Sequence, residues 1–259
     1  LGIFLNLQIK GIALGTLISE YICLIYGFKI INKEFPNFSV YKKQFNIKIK
    51  NYKNIFYSNL NLFIRTALIL ISIIMFTAIG SRLGQLTLAA NAILISIQMF
   101  ISYGLDGFAQ AAEVLVGNNY KKIKKHNLFN IILITGIISF ISAIIISIIL
   151  LFFGGYLIRF ISPINEVIVE TKKYILWIAL SPLVSFLSFH LDGVFIGANL
   201  SKIMRNSVIL SFIIYLISLY IFVPIYNNNG LWLAFIIFMF FRGIFLLINI
   251  NKVFNITKL

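Results

Sequence analysis

Acidic side chains are scarce in this sequence. Seven Asp and Glu stand against 22 Lys and Arg, and charged residues make up only 11% of the 259 positions. A soluble domain of this size carries about twice that share of charge. Nor could a soluble fold hide a 60% hydrophobic composition and still present a wetted exterior. A bilayer removes the difficulty, because lipid accepts apolar side chains on the outside of a bundle. Cysteine occurs once, as Cys23 inside an apolar run, which excludes an intrachain disulfide framework and a cysteine-built zinc site. Its plain reading is a small packed side chain. Histidine occurs twice, and there is no Walker loop, zinc-ligand spacing or dinucleotide fingerprint. With so little catalytic material the chain does not read as an enzyme, and nothing in it calls for a cofactor. The first residue is Leu, and no cleavable leader pattern opens the sequence, so it reads as a fragment or a processed product.

Long apolar runs take the place of what is lacking. A membrane-crossing helix needs about 20 largely apolar residues. Seven such runs occur, at 10–31, 59–80, 87–116, 127–153, 171–196, 206–226 and 230–250. Barrel strands need only about 10 alternating residues, and these runs are too long and do not alternate. The expected fold is all-α, a polytopic transmembrane bundle of about seven spans. Residues 1–8 read as the end of an earlier element and a turn. Gly154-Gly155, Pro163 and Pro224 read as helix ends, and Pro182 as a kink inside the fifth run.

The net charge of +15 sits mostly in the connections. Residues 32–57 carry Lys33, Lys42, Lys43, Lys48, Lys50 and Lys53, and residues 117–126 carry Lys121, Lys122, Lys124 and Lys125. Lys202 and Arg205 follow the fifth run, and Lys252 and Lys258 lie in the tail. The alternate connections carry fewer bases. That is the positive-inside pattern, and it places 32–57, 117–126, 197–205 and the C-terminus in the cytoplasm of an inner, plasma-type membrane. The same distribution argues against a nucleic-acid partner and for membrane lipid. The long connection 32–57 alternates Lys with Phe, Tyr and Ile, which suits either a segment on the inner membrane surface or a plain linker.

Four acids lie inside apolar runs: Glu20, Asp106, Glu113 and Asp192. A carboxylate at membrane depth costs about 2.5–3.5 kcal/mol or more, so each needs a partner, a wet cavity or a proton. Asp106 and Glu113 are seven apart and share a helix face. The plain alternative for Asp106 is a packing hydrogen bond at a glycine-lined contact, and for Glu113 a solvated end of the span. Asp192 is a candidate for ion coupling or for pairing with a base such as Arg205. His190 is two residues away and off that face, so a tight His–Asp dyad is not expected. Arg65 and Arg242 lie deep in the second and seventh runs and are further possible charge partners.

Several ordered motifs resemble a known family. Ile101-Ser102-Tyr103-Gly104-Leu105-Asp106-Gly107, continuing through Glu113 to Gly117, is similar to the eighth helix of multidrug and toxin extrusion (MATE) exporters of the DNA-damage-inducible protein F branch. Arg82-Leu83-Gly84 with Thr87-Leu88-Ala89-Ala90-Asn91-Ala92 resembles the turn before it. Leu191-Asp192-Gly193-Val194-Phe195-Ile196-Gly197 with Met204-Arg205-Asn206 resembles the tenth helix and its loop. Gly230-Leu231-Trp232 with Arg242-Gly243 resembles the twelfth, Phe63-Ile64-Arg65-Thr66 the seventh, and Gly11-Ile12-Ala13-Leu14-Gly15-Thr16 the sixth. The resemblance implies three parts: 1–31 ending an N-terminal lobe, 32–57 linking lobes in the cytoplasm, and 58–259 forming a C-terminal six-helix lobe. It further implies secondary antiport of cationic or amphipathic small molecules, driven by a proton or sodium gradient. The missing N-terminal lobe would lie in the same longer chain or in another one. In some sodium-coupled members an acid of the seventh helix joins one of the tenth, and residues 59–80 hold no acid, which favours protons. Asp106, Asp192, Glu113 and Arg65 are the expected coupling or cavity residues, with Arg205, Arg242 and His190 as possible partners. A lipid-linked sugar flippase and a non-transporting remnant are the alternatives.

Overall fold

The computed structural model describes residues 8–34, 49–119 and 125–254, all within or between helices. The order is α1 (Gln8–Glu34), α2 (Ile49–Arg82), α3 (Gln85–Asn119), α4 (Lys125–Ile161), α5 (Asn165–Lys172), α6 (Ile175–Gly197), α7 (Ser201–Ile248) and α8 (Asn251–Phe254). The chain divides into two units, 1–53 and 54–259. The first unit holds α1, whose Leu17, Tyr21, Ile22 and Tyr26 are exposed within that unit. The expected surface-lying stretch between Glu34 and Ile49, most of 1–8, and the bases Lys42, Lys43, Lys48, Lys121, Lys122, Lys124 and Lys258 lie outside the described residues. The last positions of the expected linker, from Ile49 on, are already helical.

In the second unit α6 is the axis, packed by α3, α4 and α7. Its residues 188–195 are buried without interruption. Pro182 lies inside it and cannot donate to the preceding turn. Close to that gap, Ser147 Oγ of α4 donates to the Ala179 carbonyl at 2.6 Å. A neighbouring hydroxyl thus supplies a donor where lipid could not.

Among the described residues, six helices are long and apolar enough to cross a membrane. The longest, α7, breaks at Asn227 (φ 50°, ψ −125°). Its arms run antiparallel: Ser207 Oγ donates to the Arg242 carbonyl at 3.1 Å, and Gly230 lies against the backbone of Phe222. Two crossings thereby form a helical hairpin about Asn227, and each of the seven apolar runs is helical over most of its length. The turn is pinned by amides. Asn91 of α3 donates to Asn228 Oδ1 at 2.7 Å, and its own oxygen accepts from Asn228 and from Trp232 Nε1, each at 3.0 Å. Beneath it, Phe76 of α2 meets Trp232 and Phe235 edge-on, with ring centroids 4.9 and 5.5 Å apart.

The outer surface is apolar. Along α4, Ile134, Ile138, Ile141, Ile145, Ile148 and Phe152 are exposed, as lipid-facing positions are in a membrane bundle. Two helix boundaries depart from the sequence reading. Gly154-Gly155 does not end a helix, since α4 continues to Ile161. Gly154 instead lets α6 approach, because a Cβ there would fall 2.8 Å from Ile175 Cδ1. The fifth span begins at Ile175 and not at 171; the residues before it form the separate short helix α5.

Candidate functional site

The site is organised by one helix crossing. Gly193 and Gly197 of α6, four apart, face Ala109, Glu113 and Gly117 of α3. A Cβ on Gly193 would overlap the Ala109 carbonyl, and one on Gly197 would come within 2.5 Å of the Glu113 carbonyl. Small residues four apart let two membrane helices approach closely. The glycines flanking Asp106 play no such part: Gly107 has open space around it, and Gly104 meets only Ile146 at 3.9 Å. Asp106 therefore does not sit at a glycine-lined packing contact.

The crossing fixes Asp192, one residue before Gly193, beside two guanidiniums. Arg65 of α2 and Arg242 of the second arm of α7 each donate through Nη2 to the same oxygen, Oδ2; the Arg242 bond is 2.8 Å. Exposure of the side chains is 6% for Asp192, 3% for Arg242 and 17% for Arg65. The two guanidiniums offset the loss of water around this buried carboxylate. Phe189 and Phe238 rings, each 5.8 Å from the Arg242 guanidinium carbon, flank that cation. Three polar atoms of the cluster remain buried without a partner among the described residues: Arg65 Nε, Arg242 Nε and Asp192 Oδ1.

These residues line a cavity of about 570 Å³. Asp106 and Glu113 of α3 line it too, with Gln98, Ser102 and Tyr103 on the same helix face. Asp106 is half-buried and makes no hydrogen bond or ion pair within 4 Å among the described residues. Apolar walls come from Ile69, Ile73, Phe235 and Met239. The cavity thus combines a grease-lined body, a carboxylate held by two arginines and two carboxylates not so held.

Of the residues singled out in the sequence, Arg65, Asp106, Glu113, Asp192 and Arg242 meet in this one cavity. Arg205 does not serve Asp192. It donates to Asn61 Oδ1 at 2.8 Å and to Asn206, at the end of the lobe where α7 begins. His190 turns away to α4, where its ring stacks over Gly136 so closely that a Cβ there would lie 3.1 Å from Nε2. No His–Asp dyad forms. Gln98, which accepts from Ser181 Oγ across the α3–α6 interface, was not singled out. The sequence carried a signal for it, since Gln98, Ser102 and Asp106 are spaced by four and share a face. Among the described residues no group of His, Cys, Asp and Glu could hold a metal ion.

Six apolar crossings in the second unit (α2, α3, α4, α6 and the two arms of α7), with a charged cavity among them, define an integral membrane protein of the polytopic helical class. The chain belongs to the MatE family, which it matches over residues 62–221. It is similar to DNA damage-inducible protein F of Escherichia coli (strain K12), with 28% identity over 241 residues, 93% of this chain and 52% of that protein. The chain therefore spans about half the length of that curated relative. Its fold is shared with a solved MOP superfamily transporter from Pyrococcus furiosus, for which reverse polarity of the binding pocket suggests a different function. There the TM-score is 0.63 at 17% identity, covering 75% of this chain and 43% of that one.

Proposed function

We propose that this chain is the C-terminal portion of a secondary active antiporter that exports cationic or amphipathic small molecules across the inner membrane, driven by a proton gradient. In this reading α1 ends an N-terminal lobe, 32–57 join the lobes on the cytoplasmic side, and 58–259 form the second lobe. The observation that carries it is the contrast between two carboxylates in one cavity. Asp192 is neutralised by Arg65 and Arg242, whereas Asp106 has no ion pair. A proton and a cationic cargo can compete only for a carboxylate that is free to change its charge, so Asp106 is the coupling acid. Proton binding there expels the cation, and cation binding expels the proton. That mutual exclusion is what antiport requires, because a ligand shifts a conformational equilibrium only through its differential affinity. Glu113, about two turns along the same face, extends the acidic path toward the end of α3. Coupling to protons is favoured over sodium because the Asp192 carboxylate already has guanidiniums where an alkali cation would bind.

Transport by Asp106→Asn decides the matter. In vesicles holding the full-length protein, export of a cationic dye driven by a pH gradient should fall to background, while the melting temperature of the purified variant stays that of the parent. Undiminished, gradient-driven export by the folded variant would remove Asp106 from the mechanism.

A further inference from the structure

The arginine pair has more donors than Asp192 uses. We infer that Arg65 and Arg242 form a subsite for an anionic group, so that the cargo of this cavity is an amphipath bearing a carboxylate, sulfonate or phosphate. The inference rests on the exporter reading and narrows its substrate class.

Four observations support it. Two guanidiniums converge on a single carboxylate oxygen, which leaves one positive charge over in the cluster. Neither guanidinium engages Asp192 as a bidentate fork, since both bonds go to Oδ2 and Oδ1 has no partner. Fork geometry is what makes arginine a receptor for planar oxyanions. The remaining donors are poorly used: Arg242 Nη1 meets only the Met239 sulfur at 3.2 Å, a weak acceptor, and both Nε atoms are buried and unpartnered. Finally, Arg242 is 2% exposed yet lines the cavity beside Phe189, Phe235 and Met239, which can take the apolar body of the same molecule. Asp192 then acts as an internal stand-in for the anion, holding the guanidiniums in place when the subsite has no ligand. A cargo that also bears a cationic group would set it against Asp106 or Glu113 across the cavity, which keeps the competition with protons intact.

The test compares three probes that share the dansyl ring on the full-length protein in nanodiscs of zwitterionic lipid: dansylglycine, its neutral amide of the same shape, and the longer, cationic dansylcadaverine. Dansylglycine should bind about ten-fold or more tightly than the neutral amide, the gain of a charge-assisted hydrogen bond or two. Asp192→Asn should tighten dansylglycine further, because it releases both guanidiniums. Arg65→Lys should weaken it about ten-fold, since an ammonium keeps the charge but loses the fork. The double variant Asp192→Asn with Arg242→Gln removes one charge of each sign, guarding against misfolding, and should bind dansylglycine less tightly than Asp192→Asn alone, because only one guanidinium is left to receive it. Equal binding of the three probes, or weaker dansylglycine binding in a stably folded Asp192→Asn, would overturn the inference. Adding phosphatidylglycerol to the nanodiscs identifies the source of the anion: displacement of dansylglycine points to a lipid headgroup, and no displacement to a soluble amphipath. The outcome is separable from the coupling assignment, because probe selectivity of the unmutated protein does not depend on whether Asp106→Asn blocks transport.

Discussion

Glu170 and Asp192 are both carboxylates hydrogen-bonded to a base, and their surroundings give them different work. Asp192 is enclosed by three helices and holds two arginines. Glu170, on α5, lies outside the spans and accepts from Lys173 Nζ at 2.6 Å and from Tyr174 Oη at 3.0 Å. The Lys173 hydrogen bond, with help from Tyr174 and against partial burial, holds the Glu170 carboxyl below the usual carboxylate range. A depressed carboxyl contributes stability above its unfolded pKa and loses it as pH falls through the folded one. The contribution of Glu170 should therefore be present at neutral pH and vanish on acidification below the carboxylate range. Glu170→Gln is expected to lower the melting temperature slightly at neutral pH, since an exposed ammonium partner is well screened, and to make no difference in acid. An equal deficit at both pH values would mean that packing, and not charge, is what Glu170 supplies.

At the scale of elements, the α3–α6 crossing is where a single methyl should matter most. Gly193→Ala drives a Cβ into the Ala109 backbone, which cannot yield as a flexible side chain would. Overpacking of this kind costs about 1–3 kcal/mol, and the helices can relieve it only by separating and displacing Asp192 from its arginines. Gly107→Ala, on the same α3 helix but with nothing within 4 Å, should be neutral or raise stability by up to about 1 kcal/mol through helix propensity. Thermal melting of the two variants in the same nanodisc checks the contrast, and equal effects would deny the crossing its special role. The helices themselves were legible because a run of about 20 apolar residues has few other readings. Their ends were less so. Gly154-Gly155 looks like a stop in water, but in lipid a helix that ended there would leave backbone groups unsatisfied. The eight residues of α5 are too few and too polar to announce themselves. The polar face of α3 was readable from spacing within one helix, through Asp106 and Glu113. Arg65 and Arg242 were legible as possible charge partners, but spacing could not assign them to Asp192, because Arg65 lies 127 positions before it and Arg242 lies 50 positions after it. Arg205, the nearer base, was the wrong choice: it follows the turn at Asn199 and Leu200 and so stands at the end of the bundle, level with Asn61, while Asp192 lies more than a turn inside α6.

The whole molecule raises the question of what closes the cavity. Tyr103, Leu70 and Met99 line it and yet are 74%, 55% and 45% exposed, so one wall of the chamber is open in the 54–259 unit. Alternating access needs two bodies that rock around a shared site, and the polar groups of an open wall would otherwise face lipid, which offers them no hydrogen-bond partner. A second lobe facing Tyr103 meets both needs. The chain spans 52% of its curated relative, which leaves room for such a lobe in that protein. An antibody raised to the C-terminal tail, used on membranes of the source cells, is expected to mark a band about twice the mass of this chain. If the band has the mass of this chain alone, Tyr103→Cys should still cross-link to a different polypeptide that supplies the facing wall. A band of single size with no cross-linked partner would leave the cavity permanently open. Proton antiport would then fail on physical grounds, since the cargo and the proton would escape to the same side, and the lobe would be a remnant that keeps the fold without the transport.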